Sequence, residues 1–353
     1  VVEQQPFFHK PEASEELGDF YGRLDENDAA PLWEVLADLV TAAPRTPCVP
    51  AIWRFDEIRP LLMEAGDLIT AAQAERRVLV LENPGIRGQS SITESLYAGV
   101  QLVQPGEVAP AHRHTPSALR FVMESNGGYT SVDGERTTMR PGDFVITPSW
   151  SFHDHGNQGS GPTIWLDGLD IPLVRMLGAT FAEHWPDPTY PISKTEGDSV
   201  ARYANNLMPV DYQPASMTAP VFNFPYSRSR EVVERLYENG PVDDYHGVKL
   251  QYVNPATGGY PMPTIAAFLQ LLPPGFGGQP YRSTDGMVFS ATEGSGRSHI
   301  GEVTIDWKER DVFVVPPWCR VTHETEKGAV LFSFSDRAAQ KALGLWREER
   351  LGE

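Results

Sequence analysis

Gly106-Glu107-Val108-Ala109-Pro110-Ala111-His112-Arg113-His114, and later Gly142-Asp143-Phe144-Val145-Ile146-Thr147-Pro148-Ser149-Trp150-Ser151-Phe152-His153-Asp154-His155-Gly156-Asn157, decide the fold. Alternate residues of an extended chain share a face, so His112 and His114 point the same way on one strand. Asp133-Gly134 and Arg140-Pro141-Gly142 are turn signals between the two segments. A hairpin ladder through those turns returns His153 to the side of the first pair. Three neutral imidazoles converging inside a β-barrel form a metal site, and His112, His114 and His153 are read as its ligands.

At 353 residues the chain is long enough for two domains or one duplicated unit. Glycine and proline, 31 each, favour short strands joined by turns over long helices. A net charge of −18 leaves no bulk basic surface, which argues against nucleic acid as a partner. No apolar run reaches transmembrane length, so no membrane partner is expected. Cys48 and Cys319 are the only cysteines, and the first residues lack a basic stretch followed by an apolar core. A reduced, cytoplasmic setting is expected.

Residues 1–75 read as a helical arm. Ser14 caps a helix carrying Leu17, Phe20, Tyr21 and Leu24; Pro31 opens a second; Asp56 caps a third ending at Gly66. From residue 76 to 172 the texture is strands with turns every few residues, as in a sandwich or barrel. The 173–260 stretch is linker and wrapping helices, with helices expected over Pro172 to Trp185 and Ser229 to Asn239. Strands return over 261–353, closed by a helix from about Asp336 to Arg347.

The two strand-rich regions repeat each other. Gly106 falls on Gly275, Glu124 on Glu293, and Pro148-Ser149-Trp150 on Pro316-Pro317-Trp318. His112, His114 and His153 fall on Tyr281, Ser283 and Val321. The scaffold therefore does not itself require the histidines. His299 and His323 lack the spacing and are read as structural or surface residues.

Gly106 to Gly127 and Gly142 to Asn157 resemble the two motifs of the cupin superfamily, present twice, with the second copy degenerate. The chain is thus expected to be a mainly β bicupin: two jelly-roll-like β-barrels, an N-terminal helical arm and peripheral helices. It departs from the usual pattern at two places. Ala118-Leu119 stands where cupins carry a glutamate ligand, and Trp150 where they carry a glycine. With Ala118-Leu119-Arg120-Phe121, Trp150 to His155 and Asp167 to Pro172, these departures resemble the gentisate 1,2-dioxygenase group, which includes salicylate and 1-hydroxy-2-naphthoate dioxygenases. The resemblance implies one Fe(II) per chain in the N-terminal barrel, a metal-free second barrel and a homotetramer. It also implies a small aromatic 2-hydroxy acid and O2 as substrates. The ring would open between its carboxyl-bearing and hydroxyl-bearing carbons, as in gentisate to maleylpyruvate. Three neutral ligands would leave coordination positions free for substrate oxygens.

Charge and strand parity extend the site. Arg120 shares its face with Ala118 and Val122, where a guanidinium can pair with the substrate carboxylate. Arg76 resembles the family's second carboxylate-binding arginine, with Arg77 as competitor. His155 has the parity of His153 and is read as a proton acceptor or an orienting donor. Asp167 can hold that imidazole or a hydroxyl, with Phe334 near the matching place in the second copy. Gln101 and Tyr97 line one strand face, and Gly99 between them leaves room for an aromatic ring. By resemblance Tyr97 tunes substrate choice. Asp154 has the opposite parity and is read as structural. Salicylate, a 5-substituted salicylate and 1-hydroxy-2-naphthoate are alternative substrates. A zinc or nickel cupin with isomerase or hydrolase chemistry, and a non-catalytic anion-binding bicupin, are the other classes that three histidines allow.

Overall fold

The computed structural model describes residues 10–214 and 216–352 and divides at Thr46/Pro47 into two compact units. In the first, helix Glu15–Asp25 starts where the Ser14 hydroxyl accepts from the Leu17 N–H at 3.2 Å. Helix Leu32–Leu39 follows Pro31. Tyr21 joins the two helices: its hydroxyl donates to Glu34 at 3.0 Å and accepts from Trp33 Nε1 at 2.7 Å. Neither helix buries a residue.

The second unit is mainly β. Two antiparallel sheets build its first barrel. The six-stranded sheet contains Tyr97–Val103, Ala118–Glu124, Phe144–Thr147 and Thr163–Leu169, with Val78–Val80 and Asn223–Phe224 at its edges. The five-stranded sheet contains Val108–His114, His153–Asn157, Gly128–Val132 and Glu135–Thr138, with Ala182–His184 at one edge. A ten-stranded sheet curls into the second barrel. One apolar core runs through both: Phe121 of the first stacks on Phe332 of the second at 4.2 Å, and Phe144 packs on Tyr252 at 4.7 Å.

The structure corrects four helix expectations. Helix Phe55–Leu68 starts after Arg54, not at Asp56, and runs past Gly66. Its first N–H is held by Asp311 Oδ1 at 2.9 Å, a cap supplied from 256 residues away. No helix covers Pro172 to Trp185. A short one, Ile171–Met176, stops before Gly178, whose φ of +65° favours glycine, and the chain then pairs Ala182–His184 along Val108–His114. The third, Tyr226–Asn239, begins three residues earlier than Ser229; Asp143 Oδ1 accepts from the Tyr226 N–H at 2.9 Å. The last helix covers only Arg337–Ala342, and after Gly344 the chain forms strand Glu348–Arg350.

Trp150 and Trp318 sit at φ +63° and +59°, a backbone region that favours glycine and costs another residue about 1–2 kcal/mol. Each is held by matching contacts. Trp150 N–H donates to the His114 carbonyl and Trp318 N–H to the Ser283 carbonyl, at 2.8 and 2.7 Å. Arg113 stacks on Trp150 and Arg282 on Trp318, each at 4.5 Å. The glycine position of the motif thus keeps its backbone and gains a cation–π clamp.

Candidate active site

Strand Val108–His114 pairs with His153–Asn157, with His112 opposite His153. His114 lies two residues on, on the same face. One nitrogen from each of His112, His114 and His153 lies within 4.8 Å of the others, and the ring centroids are 4.6–5.2 Å apart. Among the described residues these are the histidine, cysteine and carboxylate side chains grouped so as to hold a metal ion.

Hydrogen bonds decide the tautomers. His114 Nδ1 lies 2.7 Å from the Pro116 carbonyl and His153 Nδ1 lies 2.9 Å from the Ser151 carbonyl. A carbonyl only accepts, so both rings carry their proton on Nδ1 and present a lone pair at Nε2. His153 Nε2 is buried with no partner. Arg76 Nη2 lies 3.2 Å from His112 Nε2, and a guanidinium only donates, so this nitrogen is a lone pair too. Burial lowers all three pKa values, with Arg76 adding to the shift at His112: to about 2 for His112, about 4 for His114 and well below the ordinary value for His153. Three neutral imidazoles with converging lone pairs fit a divalent transition metal.

Two arginines flank the triad. Arg76 lies in the bend before strand Val78–Val80 rather than on it, and Nη2 also donates to the Pro110 carbonyl at 2.9 Å. Arg77, itself buried, turns away and forms a partly buried ion pair with Glu107. Arg120, buried on Ala118–Glu124, donates from Nη1 to Thr147 Oγ1 at 2.5 Å, and its Nε lies 3.8 Å from Asp167 Oδ1. Desolvation lowers Arg76 to about 9 and Arg120 to about 10, so both remain cations at neutral pH. They reverse, locally, the negative charge of the whole chain.

Asp167 also accepts from Trp165 Nε1 at 2.8 Å. Burial raises its pKa to about 6 against the opposing pull of Arg120. His155 packs between His153 and Trp165, with centroids at 5.6 and 5.3 Å. Thr130 Oγ1 donates to the Asp154 carbonyl at 3.2 Å, so the 2.6 Å contact runs from His155 Nδ1–H to the same oxygen. That leaves His155 Nε2 a buried lone pair without a partner. Asp154 points to the other face and accepts from the Tyr190 N–H at 2.9 Å.

Gln101 is buried with Nε2 unpartnered. Burial and then Asp167 raise the Tyr97 pKa, so its phenol stays protonated. The room expected at Gly99 is already taken. A Cβ there would lie 2.4 Å from Val78 Cγ1 and 2.8 Å from Tyr97 Oη, so the glycine makes way for the chain's own phenol.

Two further residues were not foreseen. Thr147 receives Arg120. His184 stands opposite His112 on the added strand, 6.3 Å ring to ring, with Glu75 4.0 Å away. No sequence signal marked His184, because its stretch reads as helix. Register also corrects the repeat. Arg120 pairs with Asp167 as Phe289 pairs with Ser333, so Ser333, not Phe334, matches Asp167. Phe334 instead packs against Gly168. His323 is fully buried at the place of His155: Ser298 pairs with it as Thr130 pairs with His155.

Residues 99–169 match the cupin domain family. The chain is 54% identical over 344 residues to gentisate 1,2-dioxygenase 1 of Aquipseudomonas alcaligenes, covering 98% of this chain and 99% of that one. It is 34% identical to 5-aminosalicylate 1,2-dioxygenase of a Comamonas species, covering 91% and 86%. Salicylate 1,2-dioxygenase of Pseudoaminobacter salicylatoxidans, solved with gentisate, superposes with a TM-score of 0.91 at 31% identity, covering 98% and 96%. With its histidine triad in one barrel of two, the chain belongs to the gentisate 1,2-dioxygenase family of ring-cleaving bicupins.

Proposed function

We propose that the protein opens the ring of gentisate with O2, using one Fe(II) held by His112, His114 and His153 in the 76–172 barrel. The observation that carries this is the set of three Nε2 lone pairs converging beside two guanidinium groups, that of Arg120 buried and that of Arg76 half-buried. Ferrous iron, when bound, supplies the one-electron chemistry that lets dioxygen react with a closed-shell ring. Because position 118 is alanine, no protein carboxylate competes for the metal, and its full charge is available to the substrate oxygens.

The side chains bind, orient and move a proton. Arg120 and Arg76 face the carboxylate of a 2-hydroxybenzoate. The Arg120 fork has a free, buried Nε for it. His155 Nε2 takes the phenolic proton, since it is neutral and its other nitrogen is anchored to Thr130. Asp167 keeps Arg120 in the barrel and holds Trp165 against His155. Tyr97 Oη, above Gly99, donates to an additional ring hydroxyl, which favours gentisate over salicylate or 1-hydroxy-2-naphthoate. A homotetramer is what the family resemblance implies and a reduced, cytoplasmic setting is what the two distant cysteines favour; sedimentation of the purified protein tests the tetramer.

The test combines metal analysis with an oxygen electrode. One iron per chain and one O2 consumed per gentisate are expected. Product formed without oxygen uptake, or no turnover of any 2-hydroxybenzoate by iron-loaded protein, contradicts the proposal.

A further inference from the structure

The second barrel keeps the geometry of the first with different chemistry inside. Tyr281 pairs with Val321 where His112 pairs with His153. Lys249 stands opposite Gln270 where Val78 stands opposite Gln101. Phe289 and Ser333 replace Arg120 and Asp167. The interior therefore lacks the imidazole triad and the arginine–aspartate pair, and it gains one amine.

That amine is poorly compensated. Lys249 Nζ is shut off from solvent and donates to nothing. Its neighbours are the rings of Phe268 and Phe289, with centroids at 5.0 and 5.8 Å. Two ring faces compensate an ammonium less than the water it gave up on burial. Burial, then Arg337, pushes its pKa down to about 7. The nearby carboxylates are committed elsewhere. Asp285 accepts from Arg337 Nε at 3.0 Å and Trp346 Nε1 at 2.9 Å, and Glu348 lies between His246 and Arg350 at 3.9 and 3.8 Å.

Two more donors share the interior. Trp307 Nε1 donates to Ser298 Oγ at 2.9 Å, and that oxygen lies 2.8 Å from His323 Nδ1. Among the described residues Nδ1 is the acceptor within reach of the Ser298 proton, and with that proton donated to it the ring proton of His323 is on Nε2. This buried N–H has no acceptor, and Tyr281 Oη has no partner either. Tyr281 and His323 are fully buried, with ring centroids 6.5 Å apart, and Phe289 touches both His323 and the Lys249 amine. Donors without acceptors, around one uncompensated positive charge, are the complement of a small anion.

The geometry points to a second binding site inside the C-terminal barrel, in which Lys249, His323 and Tyr281 hold a small monovalent carboxylate of formate or acetate size. Phe268 and Phe289 fill the places of Gly99 and Arg120, which keeps an aromatic acid out. The site is independent of the metal and of the ring-opening reaction.

Acetate titrated into iron-loaded enzyme, by calorimetry and thermal unfolding, tests this. Acetate also meets the arginines of the first barrel, so the second site is read as a difference. Wild type is expected to bind one acetate more per chain than Lys249→Met. Acetate should raise the wild-type Tm more than the variant's, while gentisate turnover stays the same. Tyr281→Phe, which keeps the charge and removes one donor, should weaken the second site about tenfold. Equal acetate stoichiometry in wild type and Lys249→Met would overturn the proposal. So would unchanged affinity in Tyr281→Phe, or a crystal structure in acetate showing only waters on Nζ, Nε2 and Oη.

Discussion

Thr147→Val isolates the device that aims Arg120. Thr147 and Arg120 are both buried, and among the described residues the hydroxyl is the hydrogen-bond acceptor of the guanidinium, at 2.5 Å. Valine keeps the shape and removes the acceptor. A hydrogen bond to a charged group contributes about 1.5–3 kcal/mol, so stability in urea should fall by about that amount. Arg120 stays in the barrel, because Asp167 at 3.8 Å still offers about 4 kcal/mol of gross attraction at an effective dielectric of 20. It swings toward that carboxylate and away from the substrate's. Losing about 1.5 kcal/mol of carboxylate binding raises KM about tenfold, with kcat changed less and iron content unaltered. Thr147→Ser, which keeps the hydroxyl, should behave nearly as wild type. If Thr147→Val leaves both KM and the urea midpoint where they were, Arg120 is not held in this way.

His155→Phe should keep its iron while kcat falls about 100-fold or more, the usual contribution of a positioned general base; an active variant would remove His155 from proton transfer. Asp167 has a folded pKa of about 6 against 3.8, so the native state binds more protons than the unfolded chain between those values. Stability therefore falls as pH rises through that window, by about 3 kcal/mol. Asp167→Asn should reduce this slope in urea melts between about pH 4.5 and 6.5. Phe332→Ala removes the ring stacked at 4.2 Å on Phe121, and should lower stability by about 3–5 kcal/mol while both barrels still melt in one transition. Separate transitions for the two barrels would show that the shared core does not couple them.

The histidines were legible in the sequence from their strand parity, although Val108–His114 and His153–Asn157 pair across four intervening strands and not as a hairpin. His112, His114 and His153 follow from strand parity and turn signals, and the Ser14 cap from local chemistry three residues long. What depends on distant partners was not. Arg76 and Arg77 are equivalent until Glu107, in the turn before strand Val108–His114, claims Arg77. The helix at Phe55 is capped by Asp311, so no nearby residue announces its start. Residues 182–184 form a strand because an edge of the five-stranded sheet is there to receive them, and this brings His184 to the histidines. A register slip of one residue moved the partner of Asp167 from Ser333 to Phe334, the error to which a two-residue repeat is most prone. His155 falls on His323 at the same offset that sets His153 on Val321, and this correspondence shows that an imidazole bonded to a hydroxyl belongs to the scaffold. What distinguishes His155 is its neighbours. Thr130 has the Asp154 carbonyl to donate to and so accepts from His155, which leaves Nε2 a lone pair, whereas the Ser298 proton has His323 Nδ1 as its acceptor, which leaves His323 a donor at Nε2.

The central claim is that one barrel holds the iron and the other holds none. Anomalous diffraction from iron-loaded crystals, collected on both sides of the iron absorption edge, tests it most directly. The account predicts one peak per chain, equidistant from Nε2 of His112, His114 and His153, and none beside Tyr281, Ser283 and Val321. A peak in the second barrel, or none among the three histidines of an active preparation, would contradict it.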